Sequence, residues 1–442
     1  MNKGTSNPRL AAVLALIKME SDTVYSEKVL DEILSKSALE GSDRRLAARI
    51  FYGCVSRKIT LETIISQYSS KPANKLDNTV AAILKSALYQ LLWLDTIPDN
   101  AAVDESVKLT KALKQPHTSG FVNAVLRSFL RAEKAYKLPD EKFTRLSVEY
   151  SVNTDIARLL CESFPDEIAT DFLENSFEEV PVFVAVNTLK CNTEEIAELT
   201  EKYTFTQTIL PNVFIYKNSG IVKSKDFKKG KFYIQDLSSA LACYALNPLK
   251  NERILDICAA PGSKSFTMAC LSGGNAEIIA CDISENRTAK IIDGSKRLGI
   301  SSVKAYTADG RIFNDKLGFF DKILCDVPCS GLGVIRRKPE IRYKSPADFA
   351  ELPQIQYEIL ENAAHYAKPG TEIIYSTCTL NPAENEAVVT RFLDAHPEFE
   401  TMTFNEHFGK PFGKSMVTLF PHDFGGDGFF TAKLKKTKNK DG

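Results

Sequence analysis

The sequence predicts an α/β protein: a parallel sheet wrapped on both faces by helices, preceded by an all-helical segment and a small α+β unit. Three observations carry this reading. Apolar residues recur at helical spacing through the first 135 residues. Helical and strand-like runs then mix from about 146 to 235, and from about 232 onward strands and helices alternate regularly. A chain of 442 residues exceeds one ordinary domain, and the pattern divides it at 1–137, 138–231 and 232–436.

The helical segment rests on three stretches. "SDRRLAARIFYGCVSRKITLETIISQY" opens on Ser42, a capping residue type, and sets Leu46, Ile50 and Cys54 beside Ala47, Phe51 and Val55 on one face. "LDNTVAAILKSALYQLLWLD" repeats the pattern through Val80, Ile83, Leu84, Ala87, Leu88 and Leu91. "TSGFVNAVLRSFLRAEKAY" does so through Phe121, Val122, Val125, Leu126 and Phe129. Polar or proline-bearing breaks separate them, as in a compact bundle. "KLPDEKFTR", 137–145, reads as a linker. The middle unit alternates helical "TDIARLLCESF" and "NTEEIAELTEKY" with strand-like "VPVFVAVNTLK" and "VFIYK". The final segment offers the strands "RILDI", "EIIAC", "VKAYT", "KILCD" and "EIIYST", and the lysine-rich tail "KLKKTKNKDG" reads as disordered.

Composition removes several function classes. No run of about 18 apolar residues exists, so no transmembrane helix is expected, and Leu10–Ile17 reads as part of a first helix and not as a signal peptide. The ten cysteines include no C-x-x-C pair, which argues for reduced thiols in a cytoplasmic protein and against a metal site. Net charge is zero, but residues 1–135 carry 19 Lys+Arg against 14 Asp+Glu, and 140–235 carry 11 against 16. Local basic runs such as "KSKDFKKGK" are compatible with nucleic acid and do not establish it.

In an open α/β sheet, ligands bind outside the carboxyl ends of the strands. The first strand there runs into Asp256 and a turn of small residues, Cys258, Ala259, Ala260, Pro261, Gly262, Ser263 and Lys264. The second ends in Asp282, 20 residues beyond Gly262, a separation suited to receiving ribose hydroxyls. The third is followed by Asp309, the fourth ends in Asp326, and the fifth ends in Cys378. A small-residue loop with acids at the next strand ends points to an adenosine-bearing cofactor. The missing G-x-G-x-x-G argues against a dinucleotide, and S-adenosyl-L-methionine fits better.

Two cysteines stand among these acids. Cys378 precedes Asn381, Pro382 and Glu384, which read as the cap, first and third positions of a helix whose N-terminus would favour a thiolate. Cys329 lies in a Pro-Cys-Ser-Gly turn three residues after Asp326. Cytosine gives two thiols beside a methyl donor a purpose. Its carbon 5 is too weak a nucleophile until a thiolate adds to carbon 6, an acid such as Asp326 near ring nitrogen 3 favours the addition, and a second thiol can assist release. Either cysteine could attack on chemistry alone. Basic residues Arg336, Arg337, Lys338 and Arg342, with Arg44, Arg45 and Arg49 on the helical segment, are expected on nucleic-acid phosphates.

"GKFYIQDLSSALACYALNP", "ILDICAAPGSKS", "DVPCSGLGVIRRKPEIRY", "YSTCTLNPAENE" and "DGFFTAKLKK" together resemble the RNA cytosine-5 methyltransferases, in family order across nearly the whole chain. "DRRLAARIFYGCVSRKITLE" and "IPDNAAVDESVKLTKALKQPHTSGFVNAVLRSFLR" resemble the NusB-type helical RNA-binding domain, which points to the bacterial branch acting on 16S ribosomal RNA. The resemblance implies a Rossmann-like class I methyltransferase domain and a monomer. It implies Cys378 as nucleophile, Cys329 assisting release, and Cys258 through Lys264 with Asp282, Asp309 and Asp326 around the cofactor. Ser263 and Val327 stand where the family has glycine and alanine, and neither change removes a chemical group. The rival readings are a non-catalytic RNA-binding assembly factor and cytosine-5 methylation of another RNA, such as transfer RNA. An amino-group methyltransferase would need an Asn/Asp-Pro-Pro-aromatic turn where this chain has Asp-Val-Pro-Cys.

Overall fold

A computed structural model describes residues 5–21, 26–218, 220–404 and 413–438. They form two compact units: one runs through Phe164 and includes Arg337–Pro346, and the other comprises Pro165–Arg336 and 347 onward.

The first unit is helical. Its helices include Pro8–Ser21, Gly41–Ser56, Lys58–Tyr68, Asn78–Trp93, Asp99–Ala112 and Ser119–Arg131. The expected apolar faces form its core: Ala47, Ile50, Phe51, Val80, Ile83, Leu84, Val122 and Phe129 are all buried. Asp77 caps its helix by accepting from the backbone N–H groups of Thr79 and Val80. Ser42 does not cap. That helix begins at Gly41, and the stretch read as one helix breaks at Arg57. The expected linker is shorter, because Lys142–Tyr150 is already helix, with Glu141 accepting from Phe143 and Thr144 N–H.

The segment Arg337–Pro346 overturns one expectation. Arg342 is fully buried within the helical unit and donates through Nη1 to the Tyr150 carbonyl at 2.9 Å. Tyr343 donates to the Val55 carbonyl, and its hydroxyl accepts from Lys58 N–H at 3.0 Å. Arg342 is a core residue and not a phosphate contact. Its guanidinium is enclosed by protein and donates to the Tyr150 carbonyl, and burial lowers its pKa to about 10.

The second unit holds two sheets. The smaller has the order β2-β3-β1-β4, all antiparallel, built from β1 (Val182–Val186), β2 (Thr206–Gln207), β3 (Val213–Tyr216) and β4 (Phe232–Ile234). The larger comprises β5 (Arg253–Asp256), β6 (Glu277–Asp282), β7 (Val303–Thr307), β8 (Phe320–Asp326), β9 (Ala367–Thr377), β10 (Phe399–Thr401), β11 (Met416–Leu419) and β12 (Phe429–Lys436). Its order is β10-β12-β9-β8-β5-β6-β7, with β11 on β12. The five expected strands are parallel to their neighbours, while β12 runs antiparallel to β9. So the sheet is mixed, and Lys433–Lys436 of the supposed tail is strand, with the tail beyond 438 outside the described residues. Apolar clusters cover both faces, one around Leu241, Met268 and Ile278, the other around Leu360, Tyr375 and Phe392. The chain leaves β5 for β6 on one side and later returns to place β8 on the other. That makes the β5/β8 crevice the switch point where ligands bind.

Candidate active site

The loop after β5 is shaped by its small residues. Gly262 has φ +105°, a conformation that strains any side chain, and it precedes the helix Ser263–Leu271. Asp282, at the end of β6, is almost fully buried. Its carboxylate accepts from Ala260 N–H at 3.2 Å and Ser284 N–H at 3.3 Å and lies 3.3 Å from the Arg287 guanidinium, so it ties the loop to the next strand. Asp309 is clamped by Arg311, whose hydrogen bonds hold the carboxyl below its ordinary range.

Asp256 and Lys264 were noted in the sequence, but their partners were not. Asp256 is fully buried, with Oδ2 accepting from the Ser265 hydroxyl at 2.6 Å and Oδ1 without a partner among the described residues. Burial raises its pKa to about 7, against the opposing pull of Ser265. Lys264 Nζ reaches Asp326 Oδ2 at 2.7 Å, and Asp326 Oδ1 accepts from the Ser376 hydroxyl at 2.9 Å. Burial pulls the Lys264 ammonium down, but Asp326 outweighs it and holds the ammonium above its ordinary range. A buried carboxyl oxygen without a partner among the described residues, beside a glycine-shaped loop, fits a cofactor that brings its own hydrogen-bonding groups, as the ammonium, carboxylate and ribose hydroxyls of S-adenosylmethionine do.

Adjacent parallel strands bring the two thiols together. Cys329 follows β8, Cys378 follows β9, and their Sγ atoms lie 2.9 Å apart, both as free thiols. The hydrogen bond with Cys378 and burial push the Cys329 thiol well above its ordinary range, which keeps it protonated. Gly333 N–H donates to the Cys378 carbonyl at 3.0 Å, and a Cβ on Gly333 would meet the Gly428 carbonyl oxygen at 1.9 Å. That crossing therefore requires glycine.

The helix expected to begin at Asn381 begins instead at Glu386, eight residues after Cys378. A helix dipole therefore does not act on that thiol. Asn381 Oδ1 still accepts from Ala383 N–H at 3.2 Å, and its Nδ2 donates to Glu384 Oε1 three residues on, but Glu384 also accepts from the distant Ser330 N–H and a turn, not a helix, fills 382–385. Arg336 is also spent: its guanidinium donates to the carbonyls of Gly425 and Gly426 at 2.8 and 2.9 Å. Sequence reasoning missed Gln356 and Asn385. For Asn385 the available signal was a cluster of amides and acids after a strand end, where a buried setting demands partners, while Gln356 lies inside the helix Leu352–His365 with no such mark.

A family model described as 16S rRNA methyltransferase RsmB/F matches residues 243–435, and one described as NusB family matches residues 6–131. The chain is 34% identical to the "Probable ribosomal RNA small subunit methyltransferase B" of Synechocystis, over 97% of this chain and 99% of that one. It is 32% identical to the Bacillus subtilis protein of the same name, over 96% and 98%. The crystal structure of PH0851 shares the fold with a TM-score of 0.80 at 26% identity, covering 98% of this chain and all of that one. Among the described residues no helix is long and apolar enough to cross a membrane. The chain belongs to the ribosomal RNA small subunit methyltransferase B family and is a methyltransferase that uses S-adenosylmethionine as donor.

Proposed function

We propose that the chain methylates carbon 5 of a cytosine in 16S ribosomal RNA through a covalent bond between Cys378 and carbon 6. The single observation that carries this reading is the Cys329–Cys378 pair, 2.9 Å apart beside Asp326. The resemblance of the Thr-Cys segment around Cys378 to the RNA cytosine-5 methyltransferases gives Cys378 the attacking role. Bound S-adenosylmethionine supplies an electrophilic methyl group. Cys258 through Lys264, with Asp282, Asp309 and Asp326, hold it, and Asp256 Oδ1 joins that set. The Lys264–Asp326 pair faces ring nitrogen 3 and supplies the proton that favours thiolate addition. Carbon 5 takes the methyl group; water then accepts the proton from carbon 5, the freed electron pair re-forms the carbon 5–carbon 6 double bond and expels Cys378 as a thiolate, ring nitrogen 3 returns its proton to the Lys264–Asp326 pair, and the Cys329 thiol assists release by hydrogen-bonding to the departing sulfur.

In this reading residues 1–137 grip RNA, 138–231 link and orient, and 232–436 carry out the transfer in a cytoplasmic monomer. Bisulfite sequencing of ribosomal and transfer RNA from cells with and without the protein tests it. The expected result is one 16S cytosine whose protection disappears with the protein. Loss of protection in transfer RNA alone would move the substrate, and no loss anywhere would refute cytosine-5 methylation.

A further inference from the structure

We propose that the consecutive residues Glu384 and Asn385 are positioning residues, each fixing the turn of one thiol, so that Glu384 governs release by Cys329 and Asn385 governs attack by Cys378. The inference rests on the covalent reading above. Glu384 is fully buried, and every partner of its carboxylate is a donor. Oε2 accepts from Ser330 N–H at 2.8 Å and from Gln356 Nε2 at 2.9 Å, and Oε1 accepts from Asn381 Nδ2 at 2.9 Å. Gln356 Nε2 also donates to the Pro328 carbonyl at 2.9 Å. Both neighbours of Cys329, Pro328 and Ser330, are therefore held by one Glu384–Gln356 pair.

Asn385 does the same for the other thiol. Its Oδ1 accepts from the Thr377 hydroxyl at 2.6 Å and its Nδ2 donates to the Thr379 carbonyl at 3.0 Å, so both neighbours of Cys378 are held by one side chain. The Ser330 and Thr379 hydroxyls meet at 2.7 Å and join the two turns. Among the described residues Glu384 has no cationic partner, a buried carboxylate in that setting is costly, and an apolar side chain would pack this space more cheaply. A carboxylate here is explained by the donors it must gather at one point. Misplacing a reacting group by about 1 Å costs on the order of 100-fold in rate.

The test uses the full chain with its RNA and S-adenosylmethionine, comparing Glu384→Gln, Gln356→Ala, Asn385→Ala and Cys329→Ala. Three quantities are read: single-turnover methyl transfer, the fraction of protein–RNA adduct on a denaturing gel, and cofactor affinity. Glu384→Gln and Gln356→Ala are expected to transfer methyl at near wild-type rate yet accumulate adduct, as Cys329→Ala does. Asn385→Ala is expected to slow transfer, on the order of 100-fold, without accumulating adduct. A merely structural role would lower the folded fraction and leave this partition unmoved. If Glu384→Gln does not fold, Gln356→Ala carries the same test from the other side of the pair. Adduct with Cys329→Ala but with neither Glu384→Gln nor Gln356→Ala would overturn the inference alone, as would Asn385→Ala behaving like them. No adduct with Cys329→Ala would refute the release role of Cys329 and the inference with it.

Discussion

Replacing Asp256 by Asn should make the second unit more stable at neutral pH and flatten its pH dependence. The carboxyl is fully buried, accepts one hydrogen bond from Ser265 and leaves Oδ1 without a partner among the described residues. Burial raises its pKa from 3.8 to about 7. Between those values the folded protein keeps a proton that the unfolded chain has released, so stability falls as pH rises through this window and is level above it. A shift of about three units at about 1.4 kcal/mol each corresponds to roughly 4 kcal/mol. Most of the window, from pH 5 to 7.5, should cost the wild type about 2–3 kcal/mol. Asn is neutral in both states and should lose none of this. Urea unfolding at a series of pH values, followed by hydrogen exchange in peptides covering β5 and β6, reads the effect where it arises. Trp93, the single tryptophan, lies in the helical unit and serves as an internal reference by fluorescence. Parallel pH slopes for wild type and Asp256→Asn would refute the assignment of a proton to this buried carboxyl.

Asp282→Ala should weaken S-adenosylmethionine binding by about 1.5–3 kcal/mol, the worth of hydrogen bonds to a charged group, and unchanged affinity by calorimetry would remove it from the cofactor site. Arg342→Ala should destabilise the helical unit by about 3 kcal/mol, read by Trp93 fluorescence during urea unfolding, because it empties a buried site and strands the carbonyl of Tyr150; full stability with weaker RNA binding would restore a phosphate role. Arg45 and Arg49 are exposed on the helix Gly41–Ser56, and their joint reversal to Glu should lower RNA affinity and reduce the salt slope by roughly 1–2, two fewer phosphates being neutralised. An unchanged slope would mean that this face does not touch RNA.

Much of the site was legible because strand ends announce themselves. The apolar runs before Asp256, Asp282, Asp326 and Cys378 became β5, β6, β8 and β9, and parallel pairing aligned their ends without further information. What failed was local reasoning that tertiary contacts overrode. Asn381, Pro382 and Glu384 match a helix start in isolation, yet the carboxylate finds better donors in Ser330 and Gln356, far away in sequence. Arg342 sits in a basic run and reads as a surface charge, because nothing in its neighbours reveals that residues 337–346 pack with the helical unit. The lysines after Ala432 hid a strand, since lysine density signals disorder while the alternation with Leu434 pairs it to β9. The two-residue β2 is too short to leave any pattern.

The central claim is that Cys378 bonds to the cytosine and Cys329 assists its release. It is tested most directly by incubating Cys329→Ala and Cys378→Ala proteins with 16S ribosomal RNA and S-adenosylmethionine, resolving them on a denaturing gel, and mapping any crosslinked peptide by mass spectrometry. The account predicts a stable adduct with Cys329→Ala, attached at Cys378, and neither adduct nor methylation with Cys378→Ala. An adduct formed by Cys378→Ala and absent from Cys329→Ala would exchange the two roles, and methylation surviving both substitutions would contradict the covalent mechanism.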